Sequence, residues 1–282
     1  MNSVENPELD NKGDVTFSFG HVVGAGIQAV LTGTPIEKIY WDSYITHWKV
    51  DFLDRNEKQN KSFALAMSAI EKFAAMASAG LLKGYEIATY KDKQAIELSF
   101  IVHLPNGFSY KGYADAILVH KETGKILVLE CKTSSANFIN AGMYKNSAQA
   151  LGYSVVLDSV FPDTSSYDVM YLVYLTKQAK WNDPMMFTKD YKQRALWIRE
   201  ILLDMDIVTM YEEADIYPMH GESCNDFFRD CEYLGLCNLG TANLVKQLTV
   251  EQVAEIERHN AKDFEISLTL KQLIETQLAK SI

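Results

Sequence analysis

The spacing of apolar residues changes period several times along the chain. Over 17–34 they recur at helical intervals beside several glycines. Over 62–82 the helical pattern is stronger, with Phe63, Met67, Ile70, Phe73 and Met76 on one side and Gly84 just past the end. The period then shortens: residues 85–90, 95–104, 107–119 and 125–132 read as strands. Pro105-Asn106-Gly107 marks a turn, as does Lys121-Glu122-Thr123-Gly124-Lys125, so the last three runs form an antiparallel meander. A helix is expected at about 138–158, then an apolar strand at 167–175 and a helix over 188–211. Strand 167–175 is reached through a helix and is therefore expected parallel to 125–132, by a right-handed crossover. Thr249-Val250-Glu251-Gln252 has the form of a capping box opening a helix to about His259. Residues 264–281 are amphipathic, with Ile266, Leu268, Leu270, Leu273, Ile274 and Leu278. The pattern predicts an α/β fold with a mixed central sheet flanked by helices and a helical C-terminal appendage.

Composition narrows the class. The 282 residues, 48% hydrophobic and 23% charged, suffice for one large domain or a domain with an appendage. No apolar run reaches the ~18 residues that would span a bilayer. Residues 1–14 are polar and acidic, unlike a signal or transit peptide, and read as a flexible leader of a cytoplasmic protein.

The strongest chemistry sits in the second hairpin. A turn centred between Glu122 and Thr123 places Asp115 opposite Glu130, with Cβ atoms ~4.5–5.5 Å apart. A bulge at Gly124 would slip this register and make the pairing diagonal. Glu130 and Lys132 share one face of their strand, and Cys131 points to the other. Opposed carboxylates destabilise a sheet unless they share a proton or hold a cation. Carboxylate oxygens are hard ligands suited to Mg²⁺ or Mn²⁺, and a neighbouring lysine can orient water or stabilise charge on a phosphoryl oxygen. The bland alternative is a solvated hairpin with a surface salt bridge.

Gly112-x-x-Asp115, Glu130-x-Lys132 and Gln149-x-x-x-Tyr153, in that order, resemble the PD-(D/E)XK nuclease superfamily and within it the RecB-type branch. The resemblance covers about 15–240 and implies a restriction-endonuclease-like core, with 241–282 as the helical extension. It further implies a Mg²⁺- or Mn²⁺-dependent deoxyribonuclease, expected to be an exonuclease of phage or bacterial recombination. Asp115 and Glu130 would bind the metal with the Cys131 carbonyl, and Lys132 would assist the attacking water. Gln149 and Tyr153, one helical turn apart, would position DNA or the lysine. DNA is the implied partner, with a single-strand-binding or recombination protein as a second; the oligomeric state stays open. The competing class is a catalytically inactive DNA-binding or assembly protein that keeps the fold.

Other segments leave choices open. The family's first helix carries G-x-x-x-H-x-x-x-E, and here Gly24 and Gln28 fall at the histidine and acidic positions. His21, one turn earlier, is either a metal ligand or a helix-start histidine. Glu97 reads as a paired or edge carboxylate near the metal face. Trp41, Tyr44, His47, Trp48 and Phe52 form a core cluster or a surface that stacks on bases. The net charge of −10 argues against tight non-specific duplex binding. The most basic stretch holds Lys177, Lys180, Lys189, Lys192, Arg194 and Arg199, with Lys180, Lys192 and Arg194 the leading DNA contacts; a solvated helix face is the competing reading. Cys224, Cys231 and Cys237 partly match the iron–sulfur spacing of some RecB-type nucleases, without an early cysteine. His220 could complete a zinc site. A degenerate remnant packing as small hydrophobes is preferred to either cofactor.

Overall fold

The computed structural model describes residues 15–48, 60–161, 166–214, 225–226, 229–230 and 263–279. The expected leader, Phe52, the helix at 249–259, His220 and the three late cysteines lie outside them. The chain forms two compact units, Met1–Ala195 with Phe264–Ile282, and Leu196–Asp263. The second contains most of a helix, Tyr191–Ala214, and a short antiparallel pair, Asn225–Asp226 with Arg229–Asp230. Among the described residues no helix is long and apolar enough to cross a membrane.

The first unit is an α/β fold with a mixed sheet flanked by helices, as expected. Helices α1 (Val15–Leu31), α2 (Ile36–Asp42) and α3 (Phe63–Ser78) precede the strands. Ser62 caps α3 by accepting from the Leu65 N–H at 3.2 Å. Gly26 permits the close α1–α3 packing, since a Cβ there would fall 2.2 Å from Ile70 Cδ1. Strands β1 (Tyr85–Ile87), β2 (Ile96–His103), β3 (Ser109–His120) and β4 (Ile126–Ser134) follow, the last three as the expected meander. Helices α4 (Ala141–Lys145) and α5 (Ala148–Asp158) lead to β5 (Tyr167–Leu175), which is buried throughout and pairs in parallel with β4.

One core lies between α1, α3 and the sheet. Phe19, Val22, Val23 and Ile27 meet Ala66, Ile70 and Phe73 over Ala116, Leu118, Leu127, Leu129, Met170 and Leu172. Cys131 packs against this cluster, so Glu130 on the same strand points to the opposite face. Tyr44 and Trp48 pack edge-on against Phe63, with centroids 5.1 and 5.5 Å apart, while Trp41 is exposed.

Three elements differ from the sequence pattern. The helix expected over 138–158 is two helices. Asn140 caps α4 through the Gly142 N–H, and Ser147 takes an extended conformation before α5, as residues that favour caps over helix interiors do. The helix expected from 188, α6 (Tyr191–Ala214), begins three residues later, because Met185–Lys189 is a strand, β7, beside β5; a short β6 (Lys180–Trp181) precedes it. Asp190 and Gln193 there bond reciprocally to each other's N–H groups, a capping box. Finally, Ile266–Thr269 is a strand, β8, parallel to β2, and the C-terminal helix α7 spans only Leu270–Ala279. Ser99 and Glu265 fix β8 by exchanging two backbone-to-side-chain hydrogen bonds at 3.1 Å.

Candidate metal centre

The hairpin turn sets the site. Gly124 takes the left-handed conformation (φ +67°), and its N–H bonds to the His120 carbonyl at 2.8 Å. No residue is gained or lost: Ala116 pairs with Leu129 and Val119 with Ile126, so Asp115 lies across from Glu130 as the turn predicted. At that step the regular pairing gives way. The Cys131 N–H donates to Asp115 Oδ2 at 3.0 Å, so a side chain satisfies a strand donor that would otherwise need one. In an extended strand the C=O of a residue points to the same edge as its N–H, which directs the Cys131 carbonyl toward Asp115. The thiol is not a ready ligand, since burial, then Asp115 and Glu130, push its pKa well above the usual range.

Glu130 is 1% exposed. Its Oε1 lies 2.5 Å from Lys132 Nζ; its Oε2 is buried and meets no donor at full hydrogen-bond geometry, although the Gln149 amide is close enough to act on the carboxyl as a donor. Burial first and Asp115 second push its pKa up to about 7, against the pull of Lys132 and Gln149. Burial also raises Asp115, despite the Cys131 N–H and Lys132. Burial works against the Lys132 ammonium, but Glu130 and Asp115 outweigh it and keep the lysine charged. An unsatisfied buried polar atom costs ~1–3 kcal/mol, more when charged. A divalent cation fits this need: the oxygens gathered here, two carboxylates and one carbonyl, are hard donors.

Gln149 and Tyr153 belong to the same site. Gln149 Nε2 donates to the Tyr153 hydroxyl at 2.6 Å, which donates to the Tyr113 carbonyl at 2.8 Å. A backbone carbonyl two residues from Asp115 is thus the tyrosine's partner, rather than the phosphate or lysine expected. Gly112 shapes this corner. A Cβ on it would lie 2.6 Å from Phe100 Cζ, and that ring meets Tyr153 edge-on with centroids 5.8 Å apart. Tyr110 and Tyr171 complete the surroundings of Glu130, whose charge helps raise both hydroxyls after burial. Sequence reasoning missed both, although Tyr171 stands beside Glu130 in the parallel β4–β5 register.

Helix α1 presents Gly20, Gly24 and Gln28 along one face. A Cβ on Gly20 would stand 3.9 Å from Thr133 Oγ1, and Gly24 and Gln28 line a small cavity with Asp115, Ala116, Leu129 and Cys131. Its ≈ 10 Å³ admits one water-sized particle. His21 is exposed and is not among the lining residues. Glu97 does reach the site: Gln28 Nε2 donates to its Oε1 at 2.5 Å, and its charge contributes to the rise of Asp115.

The basic stretch divides. Lys180 and Lys192 are exposed. Arg194 is fully buried, 3.4 Å from Asp158, and donates to the Lys189 carbonyl at 2.9 Å. Its charge is neutralised inside the fold, so it does not belong to an exposed DNA track. Lys189 is also buried and donates to the Lys145 carbonyl at the end of α4.

No protein-family model matches this chain, and no curated protein matches it. Among solved structures, the crystal structure of SSO0001 is similar over 70% of this chain and 74% of that one, at 17% identity and a TM-score of 0.25. So loose a likeness carries no inference about function.

Proposed function

We propose that this chain is a Mg²⁺- or Mn²⁺-dependent deoxyribonuclease that hydrolyses phosphodiester bonds, working as an exonuclease in DNA processing or recombination. One observation carries the reading: the buried Glu130 keeps an unpartnered oxygen across from Asp115 and beside Lys132. A fold that needed only a salt bridge would solvate this carboxylate or pair both oxygens. The exonuclease class rests on the resemblance of the three motifs to RecB-type nucleases.

Asp115, Glu130 and the Cys131 carbonyl would hold the cation, which supplies Lewis-acid stabilisation of the phosphoryl oxygens and a more acidic water. Lys132, charged and 39% exposed, reaches both Glu130 and solvent, so it can orient a water and stabilise charge on phosphate. Gln149 and Tyr153 fix the wall beside Asp115 and Glu130. Lys180 and Lys192 are available to the DNA backbone.

A second reading, an inactive DNA-binding or assembly protein, draws on Gly24 and Gln28 at positions where the resembled family keeps a histidine and an acid. Digestion of end-labelled linear and closed circular DNA, single- and double-stranded, separates the two. Degradation of linear DNA with Mg²⁺ or Mn²⁺, blocked by EDTA, is expected. DNA binding without cleavage in either ion would favour the inactive protein.

A further inference from the structure

The acid missing from α1 has a counterpart on the sheet. Ile96 pairs with Ala116 and Leu98 with Ala114, which sets Glu97 across from Asp115 on the side away from Glu130. Glu97, Asp115 and Glu130 therefore form a row across three adjacent strands. Gln28 reaches from α1 to hold the Glu97 carboxylate and also lines the cavity beside Asp115. Glu97 is exposed, and its backbone is left-handed (φ +51°) within a strand. Such a conformation costs a residue with a side chain ~1–3 kcal/mol and recurs at functional positions.

We infer that Glu97 is a third acidic ligand for the divalent cation, supplied by β2 in place of an acid on α1, with Gln28 as its positioning residue. This rests on the metal-dependent reading above. A row of acids is not by itself a site; here the unpartnered, buried Oε2 of Glu130 independently marks an unmet need for positive charge. Among the described residues no three His, Cys, Asp or Glu side chains yet surround a common point. Gln28 holds Glu97 near enough to Asp115 for the two charges to act on each other. Mg²⁺ and Mn²⁺ favour oxygen donors in number, and Glu97 would supply a third carboxylate.

Titration calorimetry with Mn²⁺ on the full chain tests this without DNA. Wild type should bind, Asp115→Asn should lose binding, and Glu97→Gln should bind about tenfold more weakly or worse, the scale of loss typical when a metal site loses a supporting group. Gln28→Ala, which leaves Glu97 unheld, should weaken binding by less than Glu97→Gln. Melting in EDTA checks that each variant folds. Wild-type affinity in both Glu97→Gln and Gln28→Ala, with binding lost in Asp115→Asn, would overturn the role of Glu97 and leave the metal site standing. Failure of the wild-type chain to bind Mn²⁺ would overturn both.

Discussion

Replacing Glu130 by Gln should make the metal-free protein more stable at alkaline pH while abolishing cleavage. The carboxyl rises from its ordinary 4.5 to about 7, through burial first and Asp115 second. The folded state therefore binds this proton more tightly than the unfolded chain does. The contribution of Glu130 to stability is greatest below about pH 4.5, falls as pH rises toward 7, and is gone above it. At 1.36 kcal/mol per pH unit, ionising Glu130 inside the fold costs roughly 3 kcal/mol. Glutamine mimics the protonated form and avoids that cost. Lys132, 39% exposed, stays hydrated when its partner is neutral. Urea denaturation in EDTA at pH 5 and pH 8 reads the effect as a difference between wild type and variant. The two should be similar at pH 5, and Glu130→Gln should be more stable by up to ~3 kcal/mol at pH 8. Saturating Mg²⁺ should reverse the order by stabilising only the wild type. A variant less stable than wild type at pH 8 in EDTA would show that Glu130 is a satisfied structural carboxylate, and the reasoning would fail.

Lys132→Ala should reduce cleavage by ~10²–10⁴-fold, the range for a positioned proton-transfer group, and leave Mn²⁺ binding in calorimetry largely intact. Asp158→Ala takes the carboxylate away from the buried Arg194 charge and should cost ~3–5 kcal/mol in denaturation; Asp158→Ala with Arg194→Met should recover part of that loss. Tyr153→Phe removes the donor to the Tyr113 carbonyl, so it should cost ~1–2 kcal/mol in the same assay and slow cleavage by loosening the wall beside Asp115.

The hairpin was legible because turn length fixes register: Gly124 closes the turn without a bulge, and alternation then orients Glu130 and Lys132 together. The parallel neighbour at Tyr167–Leu175 was legible from its apolar run, interrupted only at Asp168. What escaped depends on contacts distant in sequence. Arg194 reads as surface charge because nothing nearby in sequence announces Asp158, 36 positions earlier. Glu97 needs both a left-handed backbone and Gln28 from another element, neither of which alternation encodes. Met185–Lys189 and Ile266–Thr269 are short strands whose burial depends on β5 and β2 beside them, so local periodicity absorbs them into the helices that follow.

Crystals soaked in Mn²⁺ and measured for anomalous scattering would test the metal centre most directly. A peak ~2–2.5 Å from carboxylate oxygens of both Asp115 and Glu130, absent in Asp115→Asn, is the expected result. Full soaking with no peak there, while Glu130 Oε2 takes up a hydrogen-bond donor instead, would contradict a metal-dependent site.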